Sequence, residues 1–173
     1  MSDLDHLLAS REMILVAGSG GVGKTTIAAS LAVAAAQRQR GKVLVLTVDP
    51  ARRLATALGL ESFGNTPVRV MPDGSAPLRG ELWAAMLDTK AGWDDLIRRH
   101  APDAATRDAV LANPLYENIT RRFVHSHEYL AMEQLHDLHA TGNFDLVIVD
   151  TPPSRNALSI LDAPSRMADF FGS

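Results

Sequence analysis

The sequence predicts an α/β domain in which a mostly parallel β-sheet is flanked by helices. Four short runs, at residues 13–17, 43–48, 82–87 and 146–149, are apolar without alternation. That pattern is typical of parallel strands buried on both faces. Parallel neighbours need long crossover connections, which the intervening segments can supply. With 173 residues, 46% of them hydrophobic, the chain can bury one such core, so we expect a single domain over 1–173.

Two helices are predicted after the first two strands. The first runs from residue 24 to about residue 39, is built mostly from Ala, Leu, Ile and Val, and ends before Gly41. The second is expected to begin at Pro50, with Asp49 as its cap, and to end at Gly59. Both would pack against the sheet as crossover helices.

Two further segments separate the later strands. Residues 64–80 are rich in Gly and Pro, and we expect a loop around a short edge strand at 68–70. Residues from about 88 to 143 far exceed what a crossover needs, which predicts a helical insertion before the last strand. Turn residues divide this insertion into about three helices: Pro102, Asn113-Pro114 and Gly142-Asn143.

Composition limits the partners and the compartment. The formal net charge is −3, with acids and bases interspersed, so we expect no nucleic-acid partner. The chain has no cysteine, which excludes thiolate metal sites and thiol nucleophiles within these residues. No run is long and apolar enough to predict a signal peptide or a membrane span. A cytoplasmic location is expected.

A phosphate-binding loop is predicted at residues 18–26. Its sequence, GSGGVGKTT, contains GxxxxGK followed by Thr and lies between an apolar strand and a helix. Glycines let backbone N–H groups converge on phosphate oxygens, Lys24 reaches the terminal phosphates, and Thr25 can ligate Mg²⁺. An ordinary glycine turn, the structural alternative, does not require Lys and Thr at this spacing. The predicted nucleotide-binding residues are Gly20, Gly21, Val22, Gly23, Lys24, Thr25 and Thr26.

Two aspartates lie at the ends of other predicted strands. Together with the loop, they predict the fold of a P-loop nucleoside triphosphatase. Asp150 ends the run FDLVIVD and is the candidate second support for Mg²⁺, through a water molecule. Asp49 ends the second strand. Because ligands bind beyond the carboxyl ends of parallel strands, both carboxylates can converge on the loop. A helix cap at Asp49 and a turn residue at Asp150 are the structural alternatives.

These sites resemble those of the arsenical-pump (ArsA-like) and tail-anchored-protein-targeting ATPases, a dimeric branch with a deviant Walker A loop. The resemblance implies that ATP and Mg²⁺ bind, that Lys24 and Asp49 are catalytic, and that Asp49 positions or activates the attacking water. It also implies that Asp150 and the residues after it sense the γ-phosphate. The matching segments are GSGGVGKTT (18–26), LTVDPARRLATALG (46–59), HEYLAMEQL (127–135) and FDLVIVDTPPSRNAL (144–158).

Ser19 departs from this family, which usually carries there a signature lysine that reaches the partner's nucleotide. Either this subunit pairs with a lysine-bearing homologue or another cation replaces the lysine. The candidate switch cations are Arg52, Arg53 and Arg155, for which surface solvation or a salt bridge is the structural alternative. A heterodimer is favoured, and a homodimer stays open. Family members continue further, so we interpret the chain as the N-terminal portion of a bacterial Ser-type subunit, truncated before its adenine-binding residues.

The predicted function is an Mg²⁺-dependent ATPase switch. Hydrolysis would change the conformation of a dimer and so act on a protein client or a peripheral membrane partner. The alternative is a nucleotide-binding but catalytically weak subunit that regulates a lysine-bearing partner. A small-molecule kinase is disfavoured because no acceptor site is evident. Histidines at 125, 127, 136 and 139 lack a further placed metal ligand, and the absence of thiolates disfavours metalloid transport.

Overall fold

The structure is a computed structural model that describes residues 3–39, 41–48, 53–61, 64–71, 76–122, 132 and 135–151. The strands are β1 (Met13–Val16), β2 (Lys42–Thr47), β3 (Val68–Val70), β4 (Glu81–Met86) and β5 (Leu146–Asp150). The helices are α1 (Asp3–Ser10), α2 (Lys24–Arg38), α3 (Arg53–Leu58), α4 (Thr89–His100), α5 (Ala104–Leu111) and α6 (Pro114–Arg122). Residues 135–140 are also helical. Two compact units result, one containing the sheet with α1–α3 and one containing α4–α6.

The sheet is mostly parallel, which confirms the predicted fold class. Its strand order is β1-β5-β2-β4-β3, and β5 lies between β1 and β2, parallel to both. Strand β4 is parallel to β2, whereas β3 runs antiparallel to β4 at the edge, as the predicted short edge strand. Because β1, β2 and β5 point the same way, the residues that follow them meet at one edge of the sheet.

The core of the sheet unit lies between the sheet and α2. The central strands are apolar on both faces, and Leu44 and Ile148 are fully buried. Helix α2 turns a row of small side chains toward them, all with no exposed surface: Ala28, Ala32, Ala35 and Ala36. Alanine lets the helix backbone approach the sheet closely, so the position of α2 is defined by dense packing.

Helix α3 ends where the sequence predicts. Gly59 adopts a positive φ of 72°, and the N–H of Leu60 donates to the Ala55 carbonyl at 2.9 Å, which closes the helix in the way typical of a C-terminal glycine. Residues 49–52, which include the predicted cap and the predicted first helical residue, lie outside the described residues. The predicted start of this helix therefore stays a prediction.

Helices α4–α6 form the second unit, within the predicted insertion at 88–143. The side chain of Asp88 accepts from the N–H of Ala91 at 3.1 Å and caps α4. Tyr116 of α6 donates to Asp94 of α4 at 3.1 Å, and burial raises the pKa of the Tyr116 phenol. Residues 123–131 and 133–134, in the helix predicted between Asn113-Pro114 and Gly142-Asn143, lie outside the described residues. The prediction that residues 1–173 form a single domain stays a prediction.

A substitution of Gly80, directly before β4, tests whether close contact between the main chains at the amino ends of β2 and β4 stabilises the sheet. A Cβ atom at Gly80 would meet the main-chain carbonyl oxygens of Gly41 and Gln39, which cannot move without displacing β2. We expect Gly80→Ala to lower the free energy of unfolding by about 1–3 kcal/mol, measured by urea denaturation. Gly64→Ala is the control, because a Cβ there meets nothing within 4 Å. Equal destabilisation by both substitutions would contradict the contact as the cause.

Candidate nucleotide-binding site

The predicted phosphate loop connects β1 to α2. Gly21 and Gly23 have positive φ angles of 79° and 87°, and Gly23 is the residue that caps α2. A Cβ atom at either position would meet nothing within 4 Å. Glycine is thus required there by the left-handed backbone and not by lack of space. The loop reverses the chain after β1 and brings it into the helix in a conformation that other residues adopt only with strain.

The first turn of α2 supplies backbone donors to the loop. The first main-chain hydrogen bond of the helix runs from the N–H of Ile27 to the carbonyl of Gly23, at 2.9 Å. The N–H groups of residues 24–26 lie before this bond, so no main-chain carbonyl within the helix can accept from them. Donors of this kind, together with the helix dipole, favour an anion at a helix N-terminus.

Lys24 is buried although it carries a charge. Its side chain is 7% exposed, and its ammonium group donates to the main-chain carbonyl of Ser19 at 2.9 Å. The side chain therefore folds back across the loop that precedes it. A buried ammonium needs acceptors, and an anionic phosphate oxygen is a stronger acceptor than a neutral carbonyl. The position of Lys24 suits it to bind a phosphate held in the loop.

Asp150 joins the loop to the ends of two strands. Its Oδ2 atom accepts a hydrogen bond from the Thr25 hydroxyl at 2.8 Å and another from the Thr47 hydroxyl at 3.0 Å. Asp150 and Thr47 are each 1% exposed, and the parallel register of β2 and β5 places them side by side. The structure thus brings Asp150 to the loop, at the carboxyl edge where the sequence analysis expects it.

Two threonines of the site are not among the site residues that the sequence analysis names individually, although Thr151 lies in the segment after Asp150 that the resemblance assigns to γ-phosphate sensing. Thr47 ends the apolar strand β2, and its hydroxyl group after four apolar residues is the signal that could have identified it. Thr151 donates from both its hydroxyl and its N–H to the carbonyl of Val16, at 2.9 and 3.2 Å. It ties the end of β5 to the end of β1 just before the loop begins. Only its position after Asp150 marks it in the sequence.

A cavity of 220 Å³ opens beside the loop. It is smaller than the roughly 300–1,000 Å³ of most small-molecule pockets, and it suits a phosphate chain better than a whole nucleotide. Arg53 of α3 contributes a cation to its wall. Among the described residues, the lining consists of Gly21, Gly23, Lys24, Thr25, Thr26, Arg53, Ala57 and Thr151.

The oxygen atoms of Thr25 and Asp150 could hold Mg²⁺, which prefers hard oxygen ligands. Because Thr25 gives its hydroxyl hydrogen to Asp150, the lone pairs of its Oγ1 atom remain available on the other side. This arrangement fits a metal bonded to Thr25, with Asp150 outside the first coordination sphere as the group that orients the ligand. The predicted indirect role of Asp150 is compatible with this geometry.

Three predicted site residues, Asp49, Arg52 and Arg155, lie outside the described residues, and their roles stay predictions. The same holds for the histidines at 125 and 127. Within the part of the chain that the structure describes, no three His, Asp or Glu side chains are grouped so that they could hold a metal. The described helices also include none that is long and apolar enough to cross a membrane.

A glycine-rich loop between a buried parallel strand and a helix, with an aspartate at the end of the neighbouring strand, defines the P-loop class of nucleotide-binding proteins. The chain belongs to the ArsA, or anion-transporting ATPase, family, whose model matches residues 11–173. This confirms the resemblance to ArsA-like ATPases. That the chain is a bacterial Ser-type subunit stays a prediction.

Individual relatives agree with this family. The chain is 27% identical over 171 residues to an ATPase ASNA1 homolog of Entamoeba dispar, and 30% identical over 156 residues to the ATPase GET3 of Malassezia globosa. It is 33% identical over 161 residues to an uncharacterized protein of Streptomyces coelicolor. These alignments cover 97%, 90% and 89% of this chain, but 51%, 43% and 37% of the three relatives. The chain therefore spans about half the length, or less, of the relatives it matches.

Gly23 tests whether the left-handed backbone of the loop is needed for nucleotide binding. We expect Gly23→Ala to lower the free energy of unfolding by about 1–2 kcal/mol, because L-residues are strained at this φ. It should also weaken ATP binding, measured by calorimetry, because the donors at the start of α2 would be displaced.

Gly142→Ala is the matched control for this substitution. Gly142 also has a positive φ, 61°, with nothing within 4 Å of a Cβ atom, but it lies in the turn before β5. We expect a loss of stability without a loss of ATP affinity. Equal ATP affinities for the Gly23 and Gly142 variants would contradict the role of the loop backbone.

Proposed function

We propose that the protein binds ATP with Mg²⁺ at the loop of residues 18–26 and hydrolyses the terminal phosphoanhydride bond as a molecular switch. The observation that carries this proposal is the convergence of Lys24, Thr25 and Asp150 at one edge of the sheet. Membership in a family of ATPases supports it independently.

Binding would use groups that the loop already presents. The N–H groups at the start of α2 would donate to phosphate oxygens, and the Lys24 ammonium would exchange the Ser19 carbonyl for the β- and γ-phosphates. Thr25 would hold Mg²⁺, which when bound neutralises charge on the same oxygens. The buried position of Lys24 favours these contacts, because solvent screens a buried charge less than an exposed one.

Hydrolysis would follow by attack of water on the γ-phosphorus. A bond forms between the water oxygen and phosphorus as the bond to the β–γ bridging oxygen breaks, and ADP leaves with the bonding electrons. The water proton would pass to Asp49 or to the released phosphate. The assignment of Asp49 rests on the family resemblance and on its position two residues after Thr47, at the carboxyl end of β2.

The switch would act through a dimer on a protein client or a peripheral membrane partner, in the cytoplasm. The dimer rests on the family resemblance. Val22 of the loop is 56% exposed and Ile27 of α2 is 51% exposed, and in such a dimer a second subunit would cover them. The helical unit of α4–α6 is the candidate for transmitting the change to the client. Nucleic acid is not a proposed partner.

A second candidate function is that of a nucleotide-binding subunit with weak catalysis, which regulates a lysine-bearing partner. Ser19 favours it, because a serine hydroxyl cannot supply the charge of the signature lysine. In the structure Ser19 is exposed and contacts Lys24 through its main-chain carbonyl. The described contact of Ser19 with Lys24 therefore does not depend on its side chain, and a lysine at position 19 could form the same contact.

Lys24→Ala tests ATP binding at the loop. We expect the substitution to weaken ATP binding by about 10- to 100-fold, because it removes a charge-assisted contact with the phosphates. Calorimetric titration of the full-length protein measures the effect. Lys90→Ala is the control, since Lys90 pairs with Asp94 on the exposed face of α4 and should not affect ATP. Unchanged ATP affinity after Lys24→Ala would contradict the assignment of the loop.

Ser19→Lys tests whether hydrolysis needs a cation that this chain lacks and a lysine-bearing partner supplies. If the chain lacks a cation that a partner supplies, the full-length protein hydrolyses ATP slowly and Ser19→Lys raises turnover by at least about tenfold, since such cations contribute about 10³–10⁵ in other P-loop enzymes. We expect this increase, with little change in ATP affinity. Rapid turnover of the unsubstituted protein, unaffected by Ser19→Lys, would contradict pairing with a lysine-bearing homologue.

A further inference from the structure

Thr47 is held in place by main-chain contacts on both sides of β2. Its carbonyl accepts from the N–H of Leu87, at 2.8 Å, and the N–H of Val48 donates to the Asp150 carbonyl at 3.2 Å. The residue is 1% exposed and lies beside Asp150 in the parallel register of β2 and β5. The position of its hydroxyl group is therefore determined by the central strands of the sheet.

Two hydroxyl groups share one oxygen of Asp150, but they differ in what else they can reach. Thr25 lines the cavity beside the loop, whereas Thr47 is absent from the cavity wall. Both donate to Oδ2, at 2.8 and 3.0 Å, and hydrogen bonds to a carboxylate are stronger than those between neutral groups. Thr25 can thus contact a ligand directly. Thr47 lies behind Asp150, and its hydrogen bond to Oδ2 is a route by which it can act on a ligand.

We propose that Thr47 is a positioning residue of the metal site, which holds the Asp150 carboxylate so that Thr25 presents its lone pairs to Mg²⁺. This inference rests on the proposed function. With Thr47 bonded to Oδ2, rotation of the carboxylate away from Thr25 breaks a charge-assisted hydrogen bond inside the sheet. Thr25 then has a fixed acceptor for its hydrogen, which defines the direction of its lone pairs.

A threonine with a purely structural role would also be buried with its hydroxyl group hydrogen-bonded. The Mg²⁺ dependence of ATP binding distinguishes such a structural role from a positioning role. A structural defect should weaken ATP binding with and without the metal. A positioning defect should affect only the additional affinity for ATP that Mg²⁺ provides. Calorimetric titration of ATP into the full-length protein, in MgCl₂ and in EDTA, measures both quantities.

Thr47→Val removes the hydroxyl group and keeps the shape of the side chain. We expect the gain in ATP affinity on adding Mg²⁺ to fall by about 10- to 100-fold, as for other residues that orient a metal ligand. Affinity in EDTA should stay unchanged, and Thr47→Ser should restore the gain. Thr120→Val is the matched control, because Thr120 is also a buried threonine, 7% exposed, whose hydroxyl donates within its own helix to the Tyr116 carbonyl at 2.9 Å.

Each outcome decides between these roles. A wild-type Mg²⁺ gain in Thr47→Val, or an equal loss in MgCl₂ and EDTA, would overturn the positioning role. An unsubstituted protein that binds ATP but gains nothing from Mg²⁺ would overturn the proposed metal site itself, and the inference with it. If Thr47→Val does not fold, as judged by circular dichroism, Thr47→Ala removes the same hydroxyl without placing a methyl group beside the Asp150 carboxylate and carries the same expectations.

Discussion

One oxygen of the Asp150 carboxylate accepts hydrogen bonds from the hydroxyl groups of both Thr25 and Thr47, and the geometry of the candidate site depends on this shared acceptor. A buried carboxylate is costly unless hydrogen bonds replace its lost hydration. Here the donors come from the start of α2 and the end of β2, while Asp150 itself ends β5. Three elements that are distant in sequence therefore meet at one side chain, directly beside the predicted phosphate loop.

Rigid packing around this point explains how a short loop can present its donors reproducibly. The buried alanines of α2 let the helix lie close to the central strands, so the N-terminus of the helix is fixed relative to Asp150. Gly21 and Gly23 then provide the left-handed turns by which the chain leaves β1 and enters the helix. Thr151 ties the end of β5 to Val16, so the strand that precedes the loop is held as well.

Much of the fold could be predicted because buried strands have a recognisable pattern of apolar residues in the sequence. Strands buried on both faces are continuous apolar runs, and the four parallel strands lie within one residue of their predicted bounds. Helix α1 was not predicted, although Leu4, Leu7 and Leu8 have helical spacing and Leu8 is buried. The strand order and the contact between Thr47 and Asp150 could not be predicted, because they depend on the register of two strands whose residues are 103 positions apart.

The central claim is that the loop, Thr25 and Asp150 together form a site for Mg²⁺ and the phosphates of ATP. A crystal structure of the protein with Mg²⁺ and a non-hydrolysable ATP analogue tests it most directly. The result expected is a phosphate chain bound by the N–H groups at the start of α2 and by Lys24, with the metal bonded to the Thr25 hydroxyl and Asp150 beside it. A phosphate chain bound elsewhere, or a metal without contact to Thr25, would contradict the claim.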